Sequence, residues 1–250
     1  MHPGEDYNCR CWAEPASEPP QGKVVNEPTG EQWHESPIRE TEPRKGNYTE
    51  VWKGEKLGKT VVEGHGTVKK IMTLFKMQWN VVPMAEEKQK ENPNLLGTYN
   101  NGKISLSKDT KLSSAITLIH ESGHWLYDKV FLKHSQLSKQ FFKALEKTEG
   151  YKDFSGALEK TSKEQQDRLL SQSELFARIF TPFMMKHENV DGKLKKEFDL
   201  KKNSSEITFW LDRKNETESI FTELEKTFGK IIGKKRKWLW IQKWTKKKKS

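Results

Sequence analysis

From about residue 55 onward, apolar residues recur in register. Val68, Ile71, Met72, Phe75 and Trp79 follow three- and four-residue intervals, which predicts a helix over 67–79. Val81 and Val82 open a short strand that ends at Pro83. Leu95-Leu96-Gly97-Thr98-Tyr99 and Lys103-Ile104-Ser105-Leu106-Ser107 are β-type runs on either side of Asn100-Asn101-Gly102, the pattern of a hairpin. Asp109 or Thr110 can start the next helix, carried by Ile116, Ile119, Gly123, Leu126, Tyr127 and Val130. Leu137, Phe141, Phe142 and Leu145 predict a shorter helix over 136–147. A long one fits 163–187 on Leu169, Leu170, Leu175, Phe176, Ile179, Phe180 and Phe183, and a last one fits 216–232 on Ile220, Phe221, Leu224, Phe228 and Ile231. No internal repeat is apparent. A short strand and a hairpin followed by helices make the expected fold class α+β.

The first fifty residues break this pattern. They hold seven of the ten prolines, and their apolar residues are scattered without period. Proline fixes φ and removes a donor, so the stretch supplies neither a helix nor an inner strand. It reads as an extended linker over about 13–50, or as a strap lying across the domain with Trp33 and Ile38 as anchors. The expected division is therefore 1–54, a proline-rich extended segment; 55–232, the folded domain; and 233–250, a basic tail. Hydrophobic residues are only 33% of the 250, in keeping with part of the chain lying outside a core. No apolar run reaches 18 residues, the N-terminus lacks the features of a secretory signal, and Cys9 and Cys11 are the only cysteines. A transmembrane helix and a disulfide framework are excluded, and a reducing compartment is expected.

The formal charge of +10 is local. Eleven of the 45 Lys and Arg lie in 226–250, where there is no Asp or Glu, which leaves 34 basic against 35 acidic residues elsewhere. The segment 233–250 mixes lysines with Trp238, Trp240 and Trp244. Such a tail suits nucleic acid through phosphate contacts and base stacking, or an anionic membrane surface, or is a solvated end packing its Trp residues on the body.

The sharpest chemical feature is His120-Glu121-Ser122-Gly123-His124 within an apolar helical stretch. Histidines at i and i+4 leave one face of a helix about 6 Å apart, so both imidazoles can reach one Zn²⁺ at about 2.0–2.1 Å. Glu121 points about 100° around the helix, where it can serve as general base toward a water activated by the metal. Gly123 keeps the turn between the ligands slim, leaving room for metal and substrate.

A third ligand is needed. The pattern with a histidine six residues after the second is excluded, because that position is Val130 and its glycine position is Tyr127. His134 is too far along the helix, and Asp128 is better placed to orient a ligand histidine than to bind metal. Glu174 sits on a helix among Leu175, Phe176 and Ile179, where a carboxylate needs a partner such as a metal. The competing reading is a solvent-facing Glu174 paired at i,i+4 with Arg178. Glu149, Asp153, Glu159 and Glu164 are the fallback ligands.

Over about residues 66–185 these features resemble the zincin metallopeptidases of the gluzincin kind, and in particular the peptidase-like domains of phage and mobile-element polyvalent proteins. The resemblance rests on the helical HExxH, the preceding Gly97-x-Tyr99 and Ile104-x-Leu106 hairpin, and Ser173-Glu174-Leu175-Phe176-Ala177-Arg178 about fifty residues on. It implies a zincin-like domain in which a small sheet with an edge strand lies over the active-site helix and a helical C-terminal half delivers the third ligand. It further implies His120, His124 and Glu174 as zinc ligands, Glu121 as catalytic base, and a polypeptide substrate. The residue that steadies the oxyanion is not identified by it; Tyr151, His134, Arg178 and His187 are candidates. A second, shorter stretch from His2 to Pro15, with Asn8-Cys9-Arg10-Cys11, resembles the end of phage minor head (head-morphogenesis) domains. That likeness implies the C-terminal piece of a longer prophage protein, with Met1 an internal start or the mark of a split gene, phage structural proteins as partners, and location in the bacterial cytoplasm or the virion. Alternatively His2, Cys9 and Cys11 belong to a second zinc site. The function expected is a zinc metallopeptidase, and its rival a virion-associated structural protein with a structural or vestigial zinc site and a DNA-binding tail.

Overall fold

The computed structural model describes residues 51–53, 59–75, 80–93, 95–107, 114–187 and 214–233. The proline-rich segment up to residue 50 with Trp33 and Ile38, the His2–Pro15 stretch, Trp79, the helix start at Asp109 or Thr110, and the tail after Gly233 lie outside the described residues. The element order is β1 (Val51–Trp52), α1 (Lys59–Leu74), β2 (Asn80–Pro83), α2 (Glu86–Glu91), β3 (Gly97–Asn100), β4 (Lys103–Leu106) and α3 (Ser114–Leu126). Then follow α4 (Ser135–Leu145), α5 (Glu149–Leu158), α6 (Lys163–Leu169), α7 (Gln172–His187) and α8 (Lys214–Ile232).

The strands form one sheet in the order β1-β2-β4-β3. β1 runs parallel to β2 and β2 parallel to β4, with Val81 beside Ile104, whereas β3 returns antiparallel along β4 and forms one edge. The hairpin turns on Asn101 (φ 46) and Gly102 (φ 84), the two consecutive left-handed residues that a two-residue turn between twisted strands requires. A small sheet and a helical remainder make the fold α+β.

Helix α3 is the axis of the packing. Every residue from Ala115 to Leu126 is buried, so it has neighbours on all sides rather than one apolar stripe. Two glycine–alanine contacts let its neighbours approach closely. A Cβ on Gly64 of α1 would lie 2.7 Å from the Ala115 Cα, and one on Gly123 of α3 would lie 2.8 Å from the Ala177 Cα of α7. On the sheet side, a Cβ on Gly97 would lie 2.5 Å from Thr117 Cγ2 and 3.1 Å from Glu121 Cγ. Gly123 therefore admits α7; it does not hold space open for substrate.

Beyond Leu126 the helix continues as a π-turn over Tyr127–Phe131, with the Leu132 N–H reaching back to the Tyr127 carbonyl. The inserted residue lets both Val130 and Phe131 turn inward. Phe131 meets Phe176 of α7 at 4.3 Å and Phe228 of α8 at 5.7 Å between ring centres, inside an aromatic cluster that also takes in Phe141. A 3₁₀ turn (Leu132–His134) then leads into α4.

The observed boundaries depart from the sequence pattern for identifiable reasons. The helix expected at 67–79 starts at Lys59, because its first turns include Gly64 and Gly66, which weaken the apolar pattern. The helix expected as continuous over 163–187 is two, α6 and α7; it breaks at Leu170 and Ser171, where the Ser171 hydroxyl accepts the Glu174 N–H at 3.3 Å and so caps a new helix. The sequence pattern did not reveal β1, α2 or α5. Residues Val51 and Trp52 of β1 join the sheet ahead of the boundary at 55. Helix α2 buries nothing, and α5 depends on a Thr148 cap and on Glu216 of α8, whose carboxylate accepts the Glu149 and Gly150 N–H groups at 3.0 Å each. No helix among the described residues is long and apolar enough to cross a membrane.

The two glycines of α1 provide a matched test. Gly64→Ala should destabilise by about 1–3 kcal/mol, since the added methyl collides with the α3 backbone. Gly66→Ala meets nothing within 4 Å and should stabilise by up to about 1 kcal/mol through helix propensity. Urea unfolding of both variants beside wild type checks the pair.

Candidate metal centre

Three of the four residues singled out by the HExxH pattern and the downstream helix are drawn into one cluster. His120 and His124 project from α3, Glu174 from the first turn of α7, and all three are buried. The Nε2 atoms of the histidines lie 3.2 Å apart, and the Glu174 Oε2 is 3.8 Å from His120 Nε2 and 3.3 Å from His124 Nε2. The rings meet edge to face with centres 4.9 Å apart, so the nitrogens rather than the ring faces converge.

These edges would fit a metal ion. Donor atoms at about 2.0–2.1 Å from a tetrahedral ion sit about 3.3 Å from one another. A triangle with sides 3.2, 3.3 and 3.8 Å has a point about 2.0 Å from all three corners. The donor chemistry agrees: two imidazole nitrogens and a carboxylate oxygen suit Zn²⁺, and among the described residues no other group of His, Cys, Asp and Glu converges in this way. Three protein donors leave a fourth position for another ligand.

Two of the three donors are held by groups outside the cluster. The Nδ1 of His124 lies 2.8 Å from Ser173 Oγ, the kind of contact that sets the tautomer and ring plane of a ligand histidine. Glu174 is tied through Oε1 to Arg178 Nε at 2.6 Å, one turn along α7. Burial alone would push its carboxyl upward, but the Arg178 charge and then His120 hold it well below the usual carboxylate range. The i,i+4 pair with Arg178 is present, but inside the protein rather than facing solvent, and the other Glu174 oxygen faces the histidines. The start of α7 adds favourable dipole for a negative charge in its first turn.

Glu121 is fully buried one residue after His120, on the flank of α3 that Gly97 of the edge strand approaches. Asp128 has a different role from the expected one. Its carboxylate accepts the Tyr99 hydroxyl and pairs with Lys129 at 2.7 Å, while Ser173 is the group on His124. Burial and then Asp128 push the Tyr99 hydroxyl up, so it remains a donor in this bond. The fallback ligands Glu149, Asp153, Glu159 and Glu164 are all exposed and are not brought to the cluster. Of the oxyanion candidates, Arg178 touches Glu174, Tyr151 is half-buried on α5, and His134 is exposed; the His187 side chain is outside the described residues. Two residues missed by the sequence pattern flank the centre: Ser173, and Tyr127, which donates to Gln172 Oε1 at 3.2 Å across the α3 extension and the start of α7. Tyr127 lies three residues after His124, the one signal that could have found it.

Comparison with protein families, with characterised proteins and with solved structures returned no match.

Two measurements test this arrangement. Ser173→Ala should lower Zn²⁺ affinity about 10–100-fold, read by competition with a chromogenic chelator, because His124 loses its orienting partner. In chelator, the depressed Glu174 pKa stabilises the fold above the ordinary carboxylate range, and that contribution falls away as pH drops through the lower folded value. Acid unfolding of Glu174→Gln should therefore be less steep than that of wild type.

Proposed function

We propose that this chain is a zinc-dependent metallopeptidase with a zincin-like domain, in which His120, His124 and Glu174 hold the ion and Glu121 is the general base. The observation that carries the reading is the triangle of donor atoms with sides 3.2, 3.3 and 3.8 Å. A structural zinc is closed by four protein ligands, whereas three with a further position available is the pattern of a hydrolytic centre. An ion held there would supply Lewis acidity toward a carbonyl and acidify water. Glu121 then takes the proton of the attacking water and returns it to the leaving amine as the peptide bond breaks. Glu121 follows His120 directly on α3 and is buried on the flank that Gly97 of the edge strand approaches. The antiparallel edge β3 provides a ladder along which an extended peptide could align. We further propose a phage-linked context with structural or host proteins as substrates, on the His2–Pro15 resemblance.

Glu121→Gln should retain Zn²⁺ and lose hydrolysis of an unstructured protein substrate such as casein by about 10²–10⁴-fold. His120→Ala should lose both metal and activity. Undiminished proteolysis by Glu121→Gln, with metal bound, would sink the mechanism.

A further inference from the structure

We infer that Arg178 makes Glu174 a one-oxygen ligand and so keeps the remaining coordination position open; this rests on the cluster being a metal site. A carboxylate with both oxygens available can close on an ion in bidentate fashion. Such a closure would add a fifth donor to two imidazole nitrogens, a carboxylate oxygen and a water, and so crowd the position that a substrate carbonyl needs. Here the two oxygens have separate work. Oε2 faces the histidine nitrogens at 3.3 and 3.8 Å, and Oε1 accepts the Arg178 Nε–H at 2.6 Å.

Swinging Oε1 toward the ion would break a short, charge-assisted bond between groups that are 3% and 6% exposed. That bond is of the strong class, and a buried guanidinium left without its carboxylate is costly. The arginine is itself held in place. Its guanidinium carbon stands 5.7 Å from the centre of the Phe154 ring of α5, which is fully buried. Glu174 and Arg178 also share α7, one turn apart, so the helix fixes their separation. Arg178 is a positioning residue: it acts on the ion through the orientation of Glu174.

Cobalt-substituted protein reads the coordination number directly, because four-coordinate Co²⁺ gives intense visible bands and five-coordinate Co²⁺ weak ones. Wild type loaded with Co²⁺ alone should show the intense bands. Arg178→Met, similar in length but without donor or charge, should show the weak bands as Glu174 closes through both oxygens. Arg178→Lys restores a charge and a donor and should return the intense bands. A merely structural arginine would change stability or affinity but not the coordination of the ion that binds. Intense bands in both wild type and Arg178→Met would overturn the inference and leave the metal reading intact. Failure of wild type to bind Co²⁺ or Zn²⁺ at all would overturn the metal reading itself. Should Arg178→Met not fold, X-ray absorption of zinc-loaded wild type decides: an ion with one Glu174 oxygen bound supports the inference, and an ion with both bound overturns it.

Discussion

The cluster depends on a contact that involves none of its members. α7 reaches α3 closely enough for Glu174 to meet the two histidines only because Gly123 has no side chain; a Cβ there would sit 2.8 Å from the Ala177 Cα and 3.3 Å from the Phe180 ring. Gly123 is one residue from His124 and Ala177 is three from Glu174, so the point of closest approach lies within a turn of the ligands on both helices. Gly64 against Ala115 makes the same kind of contact on the other flank of α3. Fixed from two sides, and anchored past its end by Phe131 among the rings of α4, α7 and α8, the helix has little freedom to rotate its histidines away.

That confinement has an electrostatic cost. His120, Glu121, His124 and Glu174 are buried on helices that also bury Leu118, Ile119, Trp125, Leu175 and Phe176. A buried charge must find an opposite charge or a set of donors. Glu174 has both, in the Arg178 guanidinium and in the start of α7 that the Ser171 hydroxyl caps. Because an internal cation already balances this carboxylate, the described fold does not need a metal to hold the ligand in place. That differs from small domains whose zinc supplies the folding energy. Here the large aromatic and aliphatic core supplies it, at about 1.5–3 kcal/mol for each apolar side chain taken fully out of water.

Much of this was legible in the residues. The hairpin was readable because Asn101-Gly102 is a local instruction; both residues adopt the positive φ that the turn needs. The i,i+4 histidines were readable because helical geometry alone puts them on one face. Glu174 could be picked out because a charged residue among Leu175, Phe176 and Ile179 demands an explanation. Apart from one local cap, what was hidden was non-local. The break at Ser171 looks helical in periodicity and is decided by one hydroxyl. β1 is two residues long and exists only through its pairing with β2. Helix α5 owes its first turn to Glu216, sixty-six residues on. Ser173 drew no role from the sequence, and only the fold brings its hydroxyl to the His124 ring.

The misplaced expectation for Asp128 says most about how the site is built. A carboxylate one turn beyond His124 suits the orienting of a ligand on helical geometry alone. The π-turn that begins at Tyr127 changes the face that follows, and Asp128 turns instead to the Tyr99 hydroxyl on the edge strand. Tyr99 also accepts the Gly102 N–H at 3.1 Å, so the hairpin's own turn is part of the same tie. Two residues earlier, Gly97 lies against Thr117 and Glu121. The edge strand is thus fastened to α3 at both ends of its short length, by a missing side chain over Glu121 and by a hydroxyl–carboxylate bond past the histidines. In the function proposed above, a peptide aligned on that strand would be placed relative to Glu121 and the histidine pair by the same connections. Asp128 is thus committed to the strand, and the group on the His124 ring is the Ser173 hydroxyl of α7.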